Sequence, residues 1–209
     1  MGRADNLGPM VNEGVVRKGR ERREEILTVA LEVFARSGYR GTSLREVAEL
    51  TGLTQAGLLH HFGTREKLLV EVLRRREELG AEQRERRGGH VAQPEATADA
   101  LRRNTATPGL VELHSVLATQ AADPGHPGHA YFIERYESMR ERFTQELQRR
   151  AQRGELTPGA DPHRLATILI ALADGLQVQW MLDPKIDMAE HYEHLLTLLH
   201  DVPAESTEE

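Results

Sequence analysis

Residues 42–62 read TSLREVAELTGLTQAGLLHHF, two short stretches of helical periodicity separated by a Thr-Gly step. In the first, Leu44, Val47 and Ala48 point one way, and Thr42 or Ser43 can cap the start with a hydroxyl. Gly52 breaks the chain, and Thr54 caps a second short helix from Gln55 to Phe62. Val47, Ala48, Leu53, Leu58 and Phe62 are spaced to bury together, which leaves Gln55, Ala56, Gly57, Leu59, His60 and His61 mostly outside the apolar set. This is a helix-turn-helix layout, in which the second helix offers one face to the major groove of DNA. Gln55 suits adenine edges, and a histidine can donate to N7 or to a phosphate. Ala56 and Gly57 allow close approach of the helix N-terminus, whose free N–H groups favour phosphate. Spacing alone fits equally well an ordinary solvated face on a three-helix bundle.

Outward from this stretch the periodicity stays helical, and no segment alternates like a strand for long. Residues 20–37 put Ile26, Leu27, Ala30, Leu31, Val33 and Phe34 on one face and stop at Gly38, a residue suited to a left-handed C-terminal cap. Thr64, Glu66 and Lys67 open a fourth helix over 65–87, with Leu68, Leu69, Val72 and Leu73 as its apolar rows. RRGGHVAQPEA, from Arg86, reads as a linker. Further helices are expected at 95–105, 109–122, 128–153, 162–182 and 187–200, so the fold class is all-α with nine helices. The expected division is a flexible tail 1–19, a three-helix DNA-binding domain 20–66, a C-terminal helical bundle 67–203 for ligand binding and dimerisation, and a disordered end 204–209. Helix 65–87 joins the two domains.

Composition narrows the function. The chain has 209 residues and no cysteine, which excludes disulfides, thiolate nucleophiles and cysteine-held zinc. A cytoplasmic location is the expectation, with no secretory leader. No uninterrupted apolar run of about 18 residues stands out, so no membrane span is expected. The net charge of −6 hides an asymmetry: residues 1–90 carry 17 Lys and Arg against 14 Asp and Glu, and residues 91–209 carry 10 against 19. The first part can approach phosphates and the second is repelled by them. RKGRERR, residues 17–23, reads first as solubilising charge beside a helix, with a minor-groove arm as the alternative.

Residues 42–73, TSLREVAELTGLTQAGLLHHFGTREKLLVEVL, with LEVFARSGYRGTSL before them, resemble the DNA-binding region of the tetracycline-repressor (TetR) family of bacterial transcription regulators. The resemblance is close over residues 20–75; the rest matches in length, helix count and style. It implies backbone contacts from Ser43 and Arg45, next to Thr42, and a recognition helix over 54–62 that uses Thr54, Gln55, Ala56, Gly57, Leu59, His60 and His61. Arg65 stands where the family usually has a phosphate-binding lysine. Leu59 replaces the family's usual tyrosine, so a hydroxyl contact to the backbone is lost and a thymine methyl becomes an available partner.

The family also implies a homodimer on double-stranded, palindromic operator DNA. Residues 162–182 are the most apolar helix, and the expected dimer face is Leu165, Ile168, Leu169, Leu172 and Leu176 with Leu195, Leu198 and Leu199. A pocket for a small apolar or amphipathic ligand is expected among Leu113, His114, Leu117, Gln120, Phe132, Tyr136, Met139, Phe143, Gln177, Trp180 and Met181, though each of these also suits plain core. No cofactor is expected. His126 with His129, and His191 with His194, make half a metal site at most, so no metal is assigned. Phosphate-loop, nucleophile-elbow and HExxH patterns are missing, which weakens the enzyme reading. The combined reading is a sequence-specific repressor released by a ligand. A constitutive architectural DNA-binding protein is the alternative, and a small helical enzyme a more distant one.

Overall fold

The computed structural model describes residues 10–41, 43–86 and 94–199. Thr42, residues 1–9, most of the linker and the C-terminal end lie outside that description. The described residues form nine helices and no strand: α1 (Met10–Gly41), α2 (Leu44–Leu50), α3 (Gln55–Phe62), α4 (Arg65–Arg86), α5 (Glu95–Asn104), α6 (Pro108–Gln120), α7 (His129–Gln152), α8 (Pro162–Leu182) and α9 (Met188–Leu199).

The caps explain the breaks. The Ser43 hydroxyl accepts from the Glu46 N–H at 3.2 Å, that of Thr54 from Gly57 at 3.0 Å, and that of Thr64 from Lys67 at 3.2 Å. Gly52 and Gly63 turn the chain after α2 and α3 with φ of 66° and 85°, values that L side chains avoid. Helix α1 begins at Met10, ten residues before the expected start. Its Arg17 and Glu21 pair at i,i+4, so the charged run continues the helical register instead of remaining a tail. Gly38 kinks α1 with φ 67° and ψ −173°, and the helix resumes to Gly41.

Two apolar clusters organise the chain. One joins Ile26, Ala30, Val33 and Phe34 of α1 to Val47, Leu58, Phe62 and the α4 residues Leu68, Leu69, Val72 and Leu73, and continues into Leu113 and Leu117 of α6 and Phe132 of α7. The other gathers Leu101, Phe143, Leu147, Leu169, Ala173, Leu176, Trp180, Tyr192 and Leu196 from α5, α7, α8 and α9. The three N-terminal helices therefore share their core with α6 and α7 and do not close on themselves at residue 66. Helix α8 is long and apolar enough to cross a membrane by composition, contrary to the expectation from sequence. Its packing makes it a core helix, with Ala166, Leu169, Ile170, Ala173, Leu176 and Trp180 buried.

Candidate nucleic-acid interface and regulatory core

Helix α3 is held from below. Leu58 is fully buried and Phe62 nearly so. Two arginines of α1 fasten the pair of short helices: Arg22 donates to the Thr51 carbonyl at the end of α2, and Arg23 donates to the His61 carbonyl at the end of α3. The Arg23 guanidinium also lies 4.3 Å from the centre of the Phe62 ring and 3.2 Å from Glu71. Carbonyls left free at both helix ends thus gain charged donors. The sequence reading treated these residues as charge or as a groove-binding arm and missed this role.

Gln55, Ala56 and His60 are exposed on the outer side of α3, with Gly57, Leu59 and His61 partly so. The structure places Gln55, Ala56, Gly57, Leu59, His60 and His61 together on one short helix, with Thr54 as its cap. Ser43 and Arg45 stand exposed at the start of α2, where Arg45 donates to Glu49 at 2.7 Å. That bond and the Glu49 charge raise the Arg45 pKa. Arg65, expected at a phosphate, also holds the chain itself. It donates to the Tyr39 carbonyl at 3.0 Å and lies 4.6 Å from the centre of the Tyr39 ring, which ties the start of α4 to the end of α1.

The link from this head to the rest runs through α6. A Cβ on Gly109 would lie 2.1 Å from the Phe34 carbonyl oxygen and 2.6 Å from the Gly38 nitrogen, so the two helices touch backbone to backbone. One turn on, Glu112 accepts from the Tyr39 N–H at 3.0 Å, just past the kink. A side chain on Gly38 would occupy the place of that carboxylate.

Between the two apolar clusters lies a polar centre. The Tyr136 hydroxyl donates to Asp174 at 2.7 Å, and His114 Nε2 stands 3.5 Å from the same carboxylate. Burial lowers the His114 pKa against the pull of Asp174. Burial would raise Asp174, yet His114 and Tyr136 beside it hold it below its ordinary value. Asn104 donates to Gln177 at 3.0 Å and accepts from Arg76 at 2.6 Å, while Arg76 also donates to the Leu110 carbonyl at 3.0 Å. Burial, helped by the charge of Arg135, pushes Arg76 down to about 10. Arg135 pairs with Glu77, and Arg142 donates to Ser138.

Among the expected pocket residues, Leu113, Leu117, Phe132 and Tyr136 belong with the first cluster, and Phe143, Trp180, Met139 and Met181 with the second, where Tyr136 also packs. His114, Tyr136 and Gln177 converge on the polar centre. Gln120 is exposed at the end of α6 and does not join them. Sequence reasoning missed Arg76, Arg135, Arg142 and Asp174. A signal was present: Phe132, Arg135, Tyr136, Met139, Arg142 and Phe143 recur at the spacing of one helical face, which places two arginines in the phase of the core.

The expected dimer residues divide. Leu169 and Leu176 are buried in the chain's own core, at 0% and 4% exposure, and present nothing to a second chain. Leu165, Leu172, Leu195 and Leu199 are half-buried against that core. Ile168 at 51% and Leu198 at 62% are exposed. With Ile168, the exposed Ala171, Val178 and Leu182 and the half-exposed Gly175 form an outward row at alternating spacings of three and four. The four histidines considered for metal have other work in part: Nδ1 of His126 accepts from the Gly128 N–H, and those of His129 and His191 lie against the Ala121 and Asp187 carbonyls. No group of three or more potential ligands occurs among the described residues.

Comparison with known proteins places these features. A family model for bacterial regulatory proteins, tetR family, matches residues 26–72, and one for the BetI-type transcriptional repressor C-terminal region matches residues 128–202. The HTH-type transcriptional repressor KstR2 of Rhodococcus jostii (strain RHA1) is 40% identical over 53 residues, 25% of this chain and 26% of the relative. The similarity to curated relatives of this kind spans about a quarter of their length. A TetR transcriptional regulator from Chloroflexus aurantiacus J-10-FL superposes with a TM-score of 0.63 and 27% identity, covering 89% of this chain and 100% of that one. AibR, solved in complex with isovaleryl coenzyme A and operator DNA, shares the fold with a TM-score of 0.58 and 22% identity, over 85% of this chain and 97% of its own.

Proposed function

The chain belongs to the TetR family of bacterial regulatory proteins, and from that premise we propose that it is a cytoplasmic, homodimeric transcription repressor. It reads a palindromic operator and leaves it when a small ligand binds the regulatory core. The observation that carries the reading is the outer face of α3, where Gln55, Ala56 and His60 stand exposed on a helix locked from beneath by Leu58, Phe62 and Arg23. A polar, small-residue face on a rigid short helix suits the major groove. Ser43 and Arg45 take the backbone, and Gln55 to His61 meet base edges. Arg65, partly exposed and fastened to Tyr39 at the start of α4, grips the backbone with Arg45. AibR, which shares the fold, was solved with both operator DNA and an acyl coenzyme A, in keeping with control by a ligand.

The row Ile168, Ala171, Gly175, Val178 and Leu182 on α8, with Leu198 on α9, supplies the face for a second chain. Small residues at 171 and 175 permit close helix approach, and a Cβ on Gly175 would meet nothing within 4 Å. Coupling runs from the polar centre through α6 to the Gly38 kink. A ligand that favours one placement of α6 shifts α1 and α4, and so the spacing of the two α3 helices.

The test compares two variants on the selected operator and on unrelated duplexes. Arg45→Ala weakens binding to all sequences alike and shallows the salt dependence. Gln55→Ala costs about 1–3 kcal/mol at particular base pairs and spares non-specific binding. Equal losses from Gln55→Ala on every sequence would contradict base reading by α3.

A further inference from the structure

The polar centre sets three partly buried arginines against the carboxylates of Glu77 and Asp174, with Glu141 beside Arg142. Arg76 of α4 and Arg135 and Arg142 of α7 lie close enough that the charge of Arg135 lowers the pKa of both others. Arg135 is paired with Glu77. Asp174, the other carboxylate within reach of Arg135, is already held by Tyr136 and His114. Among the described residues, Arg76 and Arg142 make no ion pair, and Arg142 has Ser138 as its hydrogen-bond partner. The Nε groups of Arg135 and Arg142 are buried and have no acceptor. Donors thus outnumber acceptors at a place where an unmet N–H is costly. Guanidinium groups in that state are built to receive an oxyanion, two N–H groups at a time. Beside them on the same face of α7 stand Phe132, Tyr136 and Met139, and the last two are only half-buried. Methionine adapts its shape to varied apolar partners.

We propose that the ligand of the regulatory core is a small organic anion whose oxygen-rich head group is held by Arg135 and Arg142, with its apolar body against Phe132, Tyr136 and Met139. This rests on the reading of the protein as a ligand-controlled repressor and adds the chemical class of the ligand and the residues that select it. A carboxylate and a phosphate share the required chemistry. Cations and neutral molecules of the same size do not: the first are repelled, and the second leave the Nε donors unmet.

The experiment uses the full chain and its selected operator with four probes of equal chain length: hexanoate, hexyl phosphate, hexan-1-ol and hexylamine. Thermal stability reports binding, and fluorescence anisotropy of labelled operator reports release. Hexanoate or hexyl phosphate, or both, should raise Tm and release DNA, and whichever is stronger identifies the head group. The alcohol and the amine should do neither. Arg142→Gln should weaken the response to the effective anion by about tenfold or more, and Arg142→Lys should restore part of it. An equal or stronger response to the alcohol or amine, no response to any probe, or an undiminished response in Arg142→Gln would each overturn the proposal. Stabilisation by an anion without release of DNA would support the anion site and contradict the ligand-controlled reading, so the two failures remain distinct.

Discussion

Arg23 joins three elements through one side chain: it reaches the end of α3, the ring of Phe62 and Glu71 of α4. Arg23→Met keeps the apolar length of the side chain and removes the donors. It should lower stability by about 1–3 kcal/mol in chemical denaturation, because the His61 carbonyl loses its charged partner. Unchanged stability would mean that water serves that carbonyl equally well. Gly109 has a steric role instead. Gly109→Ala places a methyl 2.1 Å from the Phe34 carbonyl oxygen, and forcing α1 and α6 apart should cost about 1–3 kcal/mol. A variant as stable as the parent would contradict the backbone contact. At this scale the sequence was half legible. Ser43 and Thr54 announced themselves as caps, because a cap acts on residues two or three positions away. Arg22 and Arg23 did not, since their partners lie 29 and 38 residues downstream and a run of arginines looks the same whether solvated or engaged.

Among the elements, the period of every helix could be read and the phase of one could not. Helices α2 to α9 start and stop within a residue or two of expectation, because Gly, Pro and hydroxyl residues punctuate them. In α8 apolar residues occupy almost the whole circumference, so spacing did not say which of two apolar faces turns inward. Leu169 and Leu176 went to the core, and Ile168, Val178 and Leu182 stayed out. The outward row gives a direct test of the dimer. Ile168→Glu should shift the protein to monomer in sedimentation, with operator affinity falling steeply because one α3 contacts few base pairs. A dimer that survives this substitution intact would place the interface elsewhere. Helix α7 hid its arginines for a different reason. Arginine at a core position reads as a polar exception until its neighbours are known, and Glu77 and Asp174 come from other helices.

At the scale of the whole molecule, the expected boundary at residue 66 gives way to a core that runs from α1 and α4 into α6 and α7. That continuity suits the proposed coupling between ligand and operator. Glu112 sits at the crossing, bonded to the Tyr39 N–H beside the kink, while Tyr39 holds Arg65. Linkage is reciprocal, so operator binding at α3 must be felt in α6 if a ligand near α6 is to be felt at α3. Hydrogen exchange should therefore show altered protection across α6 when operator binds. In Glu112→Ala the α6 response should vanish while α3 stays protected; an unchanged α6 response would remove Glu112 from the route. All of this depends on a dimer that reads sequence. The most direct measurement is selection of bound duplexes from a random pool by the purified chain at near-physiological salt. Enrichment of a two-fold palindrome with half-sites about one DNA turn apart is the predicted result. Uniform, salt-sensitive binding with no enriched sequence would contradict it and would reduce the outer face of α3 to solvated surface.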